Sequence, residues 1–342
     1  MNFREMLQPI AERIAQLTDA PLGAVWFFAG MVAALAVGST IRMIVHRMRP
    51  AAVSASLLAS LLTWWSLIGA LAVAFALGQT GIVLLAGFLS WLALREFLHV
   101  YPRNLIPPKV ALAAQTLIPI QYFWIWLGWE TAALVFVPLA MLVILPAVRM
   151  ASARPQHFIA SIGAVFLAVV ISIYGLSHTA FFHLLPENSN PTGGAWGWLF
   201  FLIVLTEAND MAQAFTGRWF GRRYVTPHIS PNKTLEGYVG GVVVTMVLAP
   251  LLASWITPLN EPPPAWAEKT GVGAPYFPAL IAGMIIAVGG IVGDLTMSSC
   301  KRDCGVKDFG SLLPGQGGIL DRFDSLTIAA PLFFHFVRML DY

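Results

Sequence analysis

The sequence predicts an all-α protein: a polytopic integral membrane helical bundle of about nine or ten transmembrane helices. Three observations predict it. Of the 342 residues 58% are hydrophobic and the mean hydropathy is +0.74, against roughly 45–50% apolar content in soluble domains. Only 11% of the residues are charged. The apolar residues also fall into runs long enough to cross about 30 Å of hydrocarbon, which takes roughly 20 residues each.

The elements follow in order. Phe3, Met6, Leu7, Ile10, Ile14 and Leu17 recur at helical spacing with charges between them, the pattern of an amphipathic helix lying in the interface over residues 1–20. Pro9 weakens that pattern, and a frayed terminus is the alternative. Ten apolar runs come next, near 22–44, 56–77, 80–98, 109–128, 131–148, 157–178, 196–216, 238–257, 277–298 and 323–340. The first has no short basic segment before it and no small-residue cleavage site, so it reads as a retained span rather than a signal peptide. Cys300 and Cys304 are the only cysteines. Two thiols do not complete a zinc site, and a cytoplasmic disulfide would be unusual, so both are expected reduced.

Basic residues set the orientation. Arg42, His46, Arg47 and Arg49 follow the first span, and Arg95, Arg103 and Lys109 lie between the third and fourth. Arg149 and Arg154 separate the fifth and sixth; Arg218, Arg222, Arg223 and Lys233 follow the seventh; Lys301, Arg302 and Lys307 follow the ninth. With ten alternating spans all of these share one side, which the positive-inside rule makes cytoplasmic, with both termini outside.

The chain divides by charge. Residues 207–236 and 299–324 hold 15 of the 37 Asp, Glu, Lys and Arg residues. Residues 21–195 therefore read as an N-terminal transmembrane bundle, and 196–342 as a C-terminal catalytic region with its site on the cytoplasmic side.

In the first cluster Glu207 and Asp210 share a helical face. An ionisable residue inside a span marks a functional site by default; an ion pair with Arg218 is the structural alternative. Ser230 or Thr234 can cap the helix that starts the next span, and a helix N-terminus beside Lys233 suits phosphate. In the second cluster, SCKRDCGVKDFGSLLPGQGGILDRFD, acids and bases interleave around a glycine-rich turn next to an apolar run. Asp321 and Asp324, read as one face at the start of the last span, suit a divalent cation with hard oxygen ligands. Asp294, inside the ninth span among small residues, can converge on them. Lys301, Arg302, Lys307 and Arg322 would bind phosphate oxygens. A charged loop touching lipid headgroups would explain the bases but not the three acids. An enzyme acting on a phosphorylated lipid explains both, and a transporter has no need of such a surface arrangement.

From Gly293 to Ser325 the pattern GDL…S-x-x-KR-x-x-x-x-KD-x-G-x-x-x-PG-x-GG-x-x-DR-x-DS resembles the signature of the phosphatidate cytidylyltransferases, or CDP-diacylglycerol synthases. The upstream ISPNKTLEGYVGG is similar to that family's SPxKTxEGxxGG segment, and the resemblance spans roughly residues 200–335. It implies transfer of CMP from CTP to phosphatidic acid in phospholipid biosynthesis, in a bacterial inner (plasma) membrane, with Mg2+ and a second, monovalent cation as cofactors. It implies Asp294, Asp321, Lys233, Lys301 and Arg302 as catalytic residues, and Ser230, Thr234, Glu236, Lys307, Asp308, Gln316 and Arg322 as substrate-binding ones. Asp210, Asp294, Asp321 and Asp324 would hold metal. The expected partners are CTP, phosphatidic acid or a related lipid phosphate, membrane lipids and a second copy in a homodimer, with no nucleic acid. Another acceptor, such as an isoprenoid-type phosphate, and a non-catalytic lipid-binding paralogue are the alternatives.

Three positions depart from the family: Gln316 where His is usual, Asn209 where Ser is usual, and the stretch around Gln213 and Ala214. Gln can hydrogen-bond but cannot ionise. If the His only orients phosphate, activity survives; if it must ionise, substrate or turnover differs.

Overall fold

The computed structural model describes residues 3–48, 51–102, 105–152 and 155–341, the side chains of 3–4 and 51–58 apart. Arg49, Arg103 and Arg154, used above for orientation, lie outside the described residues, as does the side chain of Phe3.

The described chain is helical, with only isolated β-bridges, Tyr224 to Thr234 and Leu313 to Gly317. The helices are α1 (Phe3–Thr18), α2 (Leu22–Arg47), α3 (Ala51–Ala76), α4 (Gly78–Val100), α5 (Pro108–Trp126), α6 (Glu130–Ser152) and α7 (Phe158–Val169). A π-helical turn, Val170–Gly175, continues α7 into α8 (Leu176–Phe181). Then come α9 (Gly194–Phe220), α10 (Leu235–Ile256), the short α11 (Pro264–Thr270), α12 (Phe277–Asp303) and α13 (Leu326–Leu340).

Each of the ten apolar runs falls on a helix, and among the described residues seven helices are long and apolar enough to cross a membrane. The other three fall short for readable reasons. Lys109, Gln115 and Gln121 dilute α5, Glu207, Asn209 and Asp210 dilute α9, and α13 has only 15 residues. The protein is a polytopic integral membrane bundle. Helix α1 does form, and it leaves Met6, Ile10, Ile14 and Leu17 exposed on one side.

Two groups of helices pack together. Helix α9 lies along α10, α10 along α12, and α12 along α13; α3 to α6 pack in sequence order. The π turn and α8 touch both α4 and α13 and so join the groups. Aromatic rings fill the seams: Phe75 meets Phe28 at 5.1 Å and Trp196 at 5.0 Å, and Phe333 meets Phe201 at 5.5 Å. Asn209 is fully buried and pins three helices, its Nδ2 donating to the Ala287 carbonyl at 3.3 Å and its Oδ1 accepting from Thr245 at 3.4 Å. A buried amide must be hydrogen-bonded to be tolerated, so Asn209 has a structural occupation in joining α9, α10 and α12.

Candidate active site

The segment between α12 and α13 is built around Asp321. Its Oδ1 pairs with Lys301 Nζ at 2.9 Å, and its Oδ2 accepts from the backbone N–H of Phe309 at 2.7 Å and of Gly318 at 2.9 Å. The two side chains are only 5% and 11% exposed. A buried ion pair holds only when further hydrogen bonds satisfy it, and here the amides do so. Asp321 and Asp324 do not share a helical face, a correction to the sequence reading. Helix α13 starts at Leu326, and the turn before it aims the two carboxylates at different partners.

Helices of the N-terminal bundle grip the same segment. Glu96, near the end of α4, accepts from the N–H of Ile319 at 2.9 Å and of Leu320 at 2.8 Å. Any Cβ at Gly318 would collide with that carboxylate, so glycine is required where the turn meets α4. Phe309 stacks on Phe97 at 5.7 Å. Gln316 Nε2 donates to Ser60 Oγ of α3 at 3.1 Å, and Arg42 of α2 donates to the same oxygen at 3.0 Å. Gln316 Oε1 in turn accepts from Arg322 Nη1 at 3.0 Å. Arg322 lies over the Trp64 ring, 5.3 Å from its centroid, and pairs through Nη2 with Glu207 Oε2 at 3.1 Å. The partner of Glu207 is therefore Arg322, not Arg218. The C-terminal ends of α2 and α4 thus share one end of the bundle with the glycine-rich turn.

A second cluster lies between α9, α12 and the entry to α13. Asp294 Oδ2 stands 2.6 Å from Lys233 Nζ. Asp210 accepts from Ser325 Oγ at 3.0 Å and from Gln213 Nε2 at 3.3 Å. The Asp324 carboxylate accepts from the N–H of Ser325 next to it, at 2.7 Å. Burial, then the Asp294 and Asp210 carboxylates, push the pKa of Asp324 above the ordinary range. Burial works against the Lys233 ammonium, but Asp294 and then Asp210 outweigh it, so its pKa stands above the usual lysine value. Gly293 lets α12 reach this place, since a Cβ there would strike the Asp324 carbonyl.

The segment before α10 is secured from within. Thr234, not Ser230, caps α10, accepting from Gly237 N–H at 3.1 Å. Glu236 accepts from the N–H of Arg222 at 3.0 Å and of Arg223 at 3.1 Å, which fixes the loop. Ser230 contributes backbone, bonding Thr226 and Lys233. Arg302 joins the two motifs, donating to the Ile229 carbonyl at 3.0 Å and to the Val306 carbonyl at 3.2 Å. Lys307 and Asp308 are exposed at the rim, and both cysteines are free.

Among the described residues no three His, Cys, Asp or Glu side chains form a ready-made metal-holding group. Asp210, Asp294 and Asp324 are the carboxylates that repel one another, and their hard oxygens suit Mg2+ by charge and donor type. The oxygens of Asp321 are committed to Lys301 and the loop amides, so it stands apart from them. Sequence reasoning missed Glu96, Ser60, Trp64 and Ser325. Two of them carried a signal, Glu96 as an unexplained acid inside an apolar run and Ser325 as the last residue of the DRFDS motif.

Residues 58–340 match the cytidylyltransferase family. The chain is 36% identical over 284 residues to YnbB, an uncharacterised protein of Escherichia coli K12, over 82% of this chain and 87% of that one. It is 36% identical over 159 residues to a phosphatidate cytidylyltransferase of Bacillus subtilis, 46% of this chain and 54% of that protein, so the match spans about half of that relative. A phosphatidate cytidylyltransferase of Staphylococcus haemolyticus is 28% identical over 256 residues, covering 75% of this chain and 89% of its own.

Proposed function

The chain belongs to the cytidylyltransferase family, and on that premise we propose that it is a CTP:phosphatidate cytidylyltransferase. It would transfer CMP from CTP to phosphatidic acid, giving CDP-diacylglycerol and pyrophosphate. One observation carries this reading: the acidic cluster with Lys233, suited to a metal-bound triphosphate, adjoins the Arg322 guanidinium, which with Glu207 lines an apolar cavity of about 1160 Å³ between α2, α3, α4 and α9. The two substrates, one very polar and one largely hydrocarbon, need such neighbours.

In the reaction an oxygen of the lipid phosphate forms a bond to the α-phosphorus of CTP, and the bond to pyrophosphate breaks. The nucleophile is already ionised, so positioning and charge neutralisation matter more than a general base. Mg2+ held by Asp210, Asp294 and Asp324 would neutralise the triphosphate. Lys233, oriented by Asp294, would hold phosphate oxygens beside it. Arg322 would hold the lipid phosphate. Lys301 and Arg302 would act indirectly, by fixing the loop that carries Arg322 and the segment that carries Lys233. Basic residues at this end of the bundle support a cytoplasmic site with access to CTP.

The test supplies purified protein with CTP, Mg2+ and phosphatidic acid, and looks for CDP-lipid and pyrophosphate. Product supports the proposal. No product from any lipid phosphate refutes it, and product from an isoprenoid phosphate alone moves the acceptor.

A further inference from the structure

The segment between α12 and α13 is tied to α3 and, through α3, to α2. Ser60, Thr63 and Trp64 share one face of α3, and all three meet that segment. Ser60 Oγ accepts from Gln316 Nε2 at 3.1 Å, Thr63 donates to the Pro314 carbonyl at 3.1 Å, and the Trp64 ring lies against the Arg322 guanidinium. Two side-chain hydrogen bonds fix α2 to α3. Trp65 Nε1 donates to Ser39 Oγ at 3.1 Å and, one turn along α2, Arg42 Nη1 donates to Ser60 Oγ at 3.0 Å.

Arg42 and Arg322 therefore stand at the two ends of one hydrogen-bonded chain that runs through Ser60 and Gln316. Gln316 suits its place there: the amide gives a donor to Ser60 and an acceptor to Arg322, whereas a protonated imidazole has two donors and no acceptor. Acids do not match the two cations. Glu207 pairs with Arg322 at 3.1 Å, and among the described residues no carboxylate pairs with Arg42. Only Nη1 of Arg42 is engaged among those residues. Ser60 Oγ accepts twice, so its own hydrogen is left to donate. Donors outnumber acceptors here, an imbalance that an anion corrects. A planar guanidinium with open N–H groups matches a phosphate in charge and shape.

We propose that Arg42 is a further phosphate-binding residue of the site, and that Ser60 and Gln316 are the positioning residues that hold it in step with Arg322. It is supplied by a helix that ends before residue 58, where the match to the family begins. Its ligand is a phosphate anion carried by one of the two substrates, the nucleotide or the lipid. The inference rests on the proposed function for the identity of those ligands, and on the arginine chain for the rest.

Binding without turnover tests it. Full-length protein in detergent is titrated by calorimetry with Mg2+ and CTP and, separately, with a short-chain phosphatidic acid. Arg42→Gln removes the cation. Arg47→Gln removes an exposed cation at the end of the same helix, and Trp65→Phe removes the other hydrogen bond between α2 and α3 while keeping every charge. Arg42→Gln should bind at least one of the two ligands about tenfold more weakly, the scale of a lost charge-assisted hydrogen bond, and the ligand that weakens names the source of the phosphate. Arg42→Lys, a point charge without the planar fork, should recover part of that loss. Arg47→Gln and Trp65→Phe should bind both ligands as the wild type does. Unweakened binding of both ligands by Arg42→Gln overturns the inference, and so does a wild type that binds neither. Equal weakening in Arg47→Gln overturns it in favour of a diffuse field, and equal weakening in Trp65→Phe in favour of a displaced helix. The expected pattern without any CDP-lipid product would count against the reaction alone.

Discussion

Asp321 and Asp324 stand three residues apart in one turn, yet they belong to regions with opposite electrostatics. Around Asp321 each charge has an answer: Lys301 and two amides satisfy its oxygens, and Glu96 secures the next two amides. Around Asp324 three carboxylates crowd together with Lys233 as their paired cation. A satisfied carboxylate holds a fold together. A frustrated one, kept where it weakens the fold, is where a ligand cation finds its binding energy.

Substitutions can break the contrast or sharpen it. The largest effect is expected from Asp321→Asn, which leaves Lys301 buried and unpaired and should cost about 3–5 kcal/mol of stability, read as a lowered thermal midpoint in detergent. An unchanged midpoint would erase the distinction between the two regions. Asp294→Asn should instead lower CMP transfer by about 10²–10³-fold, the usual loss when one electrostatic stabiliser of a transition state goes, while the midpoint holds. Third comes Glu96→Gln, whose weakened bonds to Ile319 and Leu320 should cost about 1.5–3 kcal/mol and loosen the turn, seen as faster proteolysis between Gly310 and Gly318.

Asp324→Asn should stabilise the metal-free protein. A carboxyl whose pKa is raised by folding weakens the fold above its ordinary value near 3.9, and the penalty grows as pH climbs to the raised value. The gain, on the order of 1 kcal/mol, should therefore be present at pH 7 and vanish towards pH 4, with transfer activity lost throughout. A destabilised Asp324→Asn at pH 7 would place Asp324 with Asp321. Smallest is Gln316→His, which keeps a ring nitrogen near Ser60 and Arg322 and should change turnover less than about tenfold (roughly 1.4 kcal/mol).

Much of this was legible in the sequence. Apolar run length located each long helix, since hydrocarbon thickness demands it. Motif spacing brought Lys233, Asp294, Asp321 and Asp324 to one end of the bundle. What the sequence could not show was the division of labour among them, because that depends on partners far along the chain. Asp321 and Asp324 look equivalent in DRFDS, and only the turn before Leu326 separates them. Lys301 and Arg302 read as phosphate ligands, but a carboxylate and backbone carbonyls already occupy them. Glu207 chose Arg322, 115 positions away, over Arg218 nearby, because helix packing rather than sequence distance sets which charges meet.

The contact between Glu96 and Ile319 spans 223 positions, and that separation has a consequence for biosynthesis. As the chain is made, α4 enters the bilayer with an acidic side chain whose amide partners have not yet been synthesised. They emerge only just before the final helix. The turn that carries Asp321 therefore cannot dock on α4 until the residues just before α13 have been made.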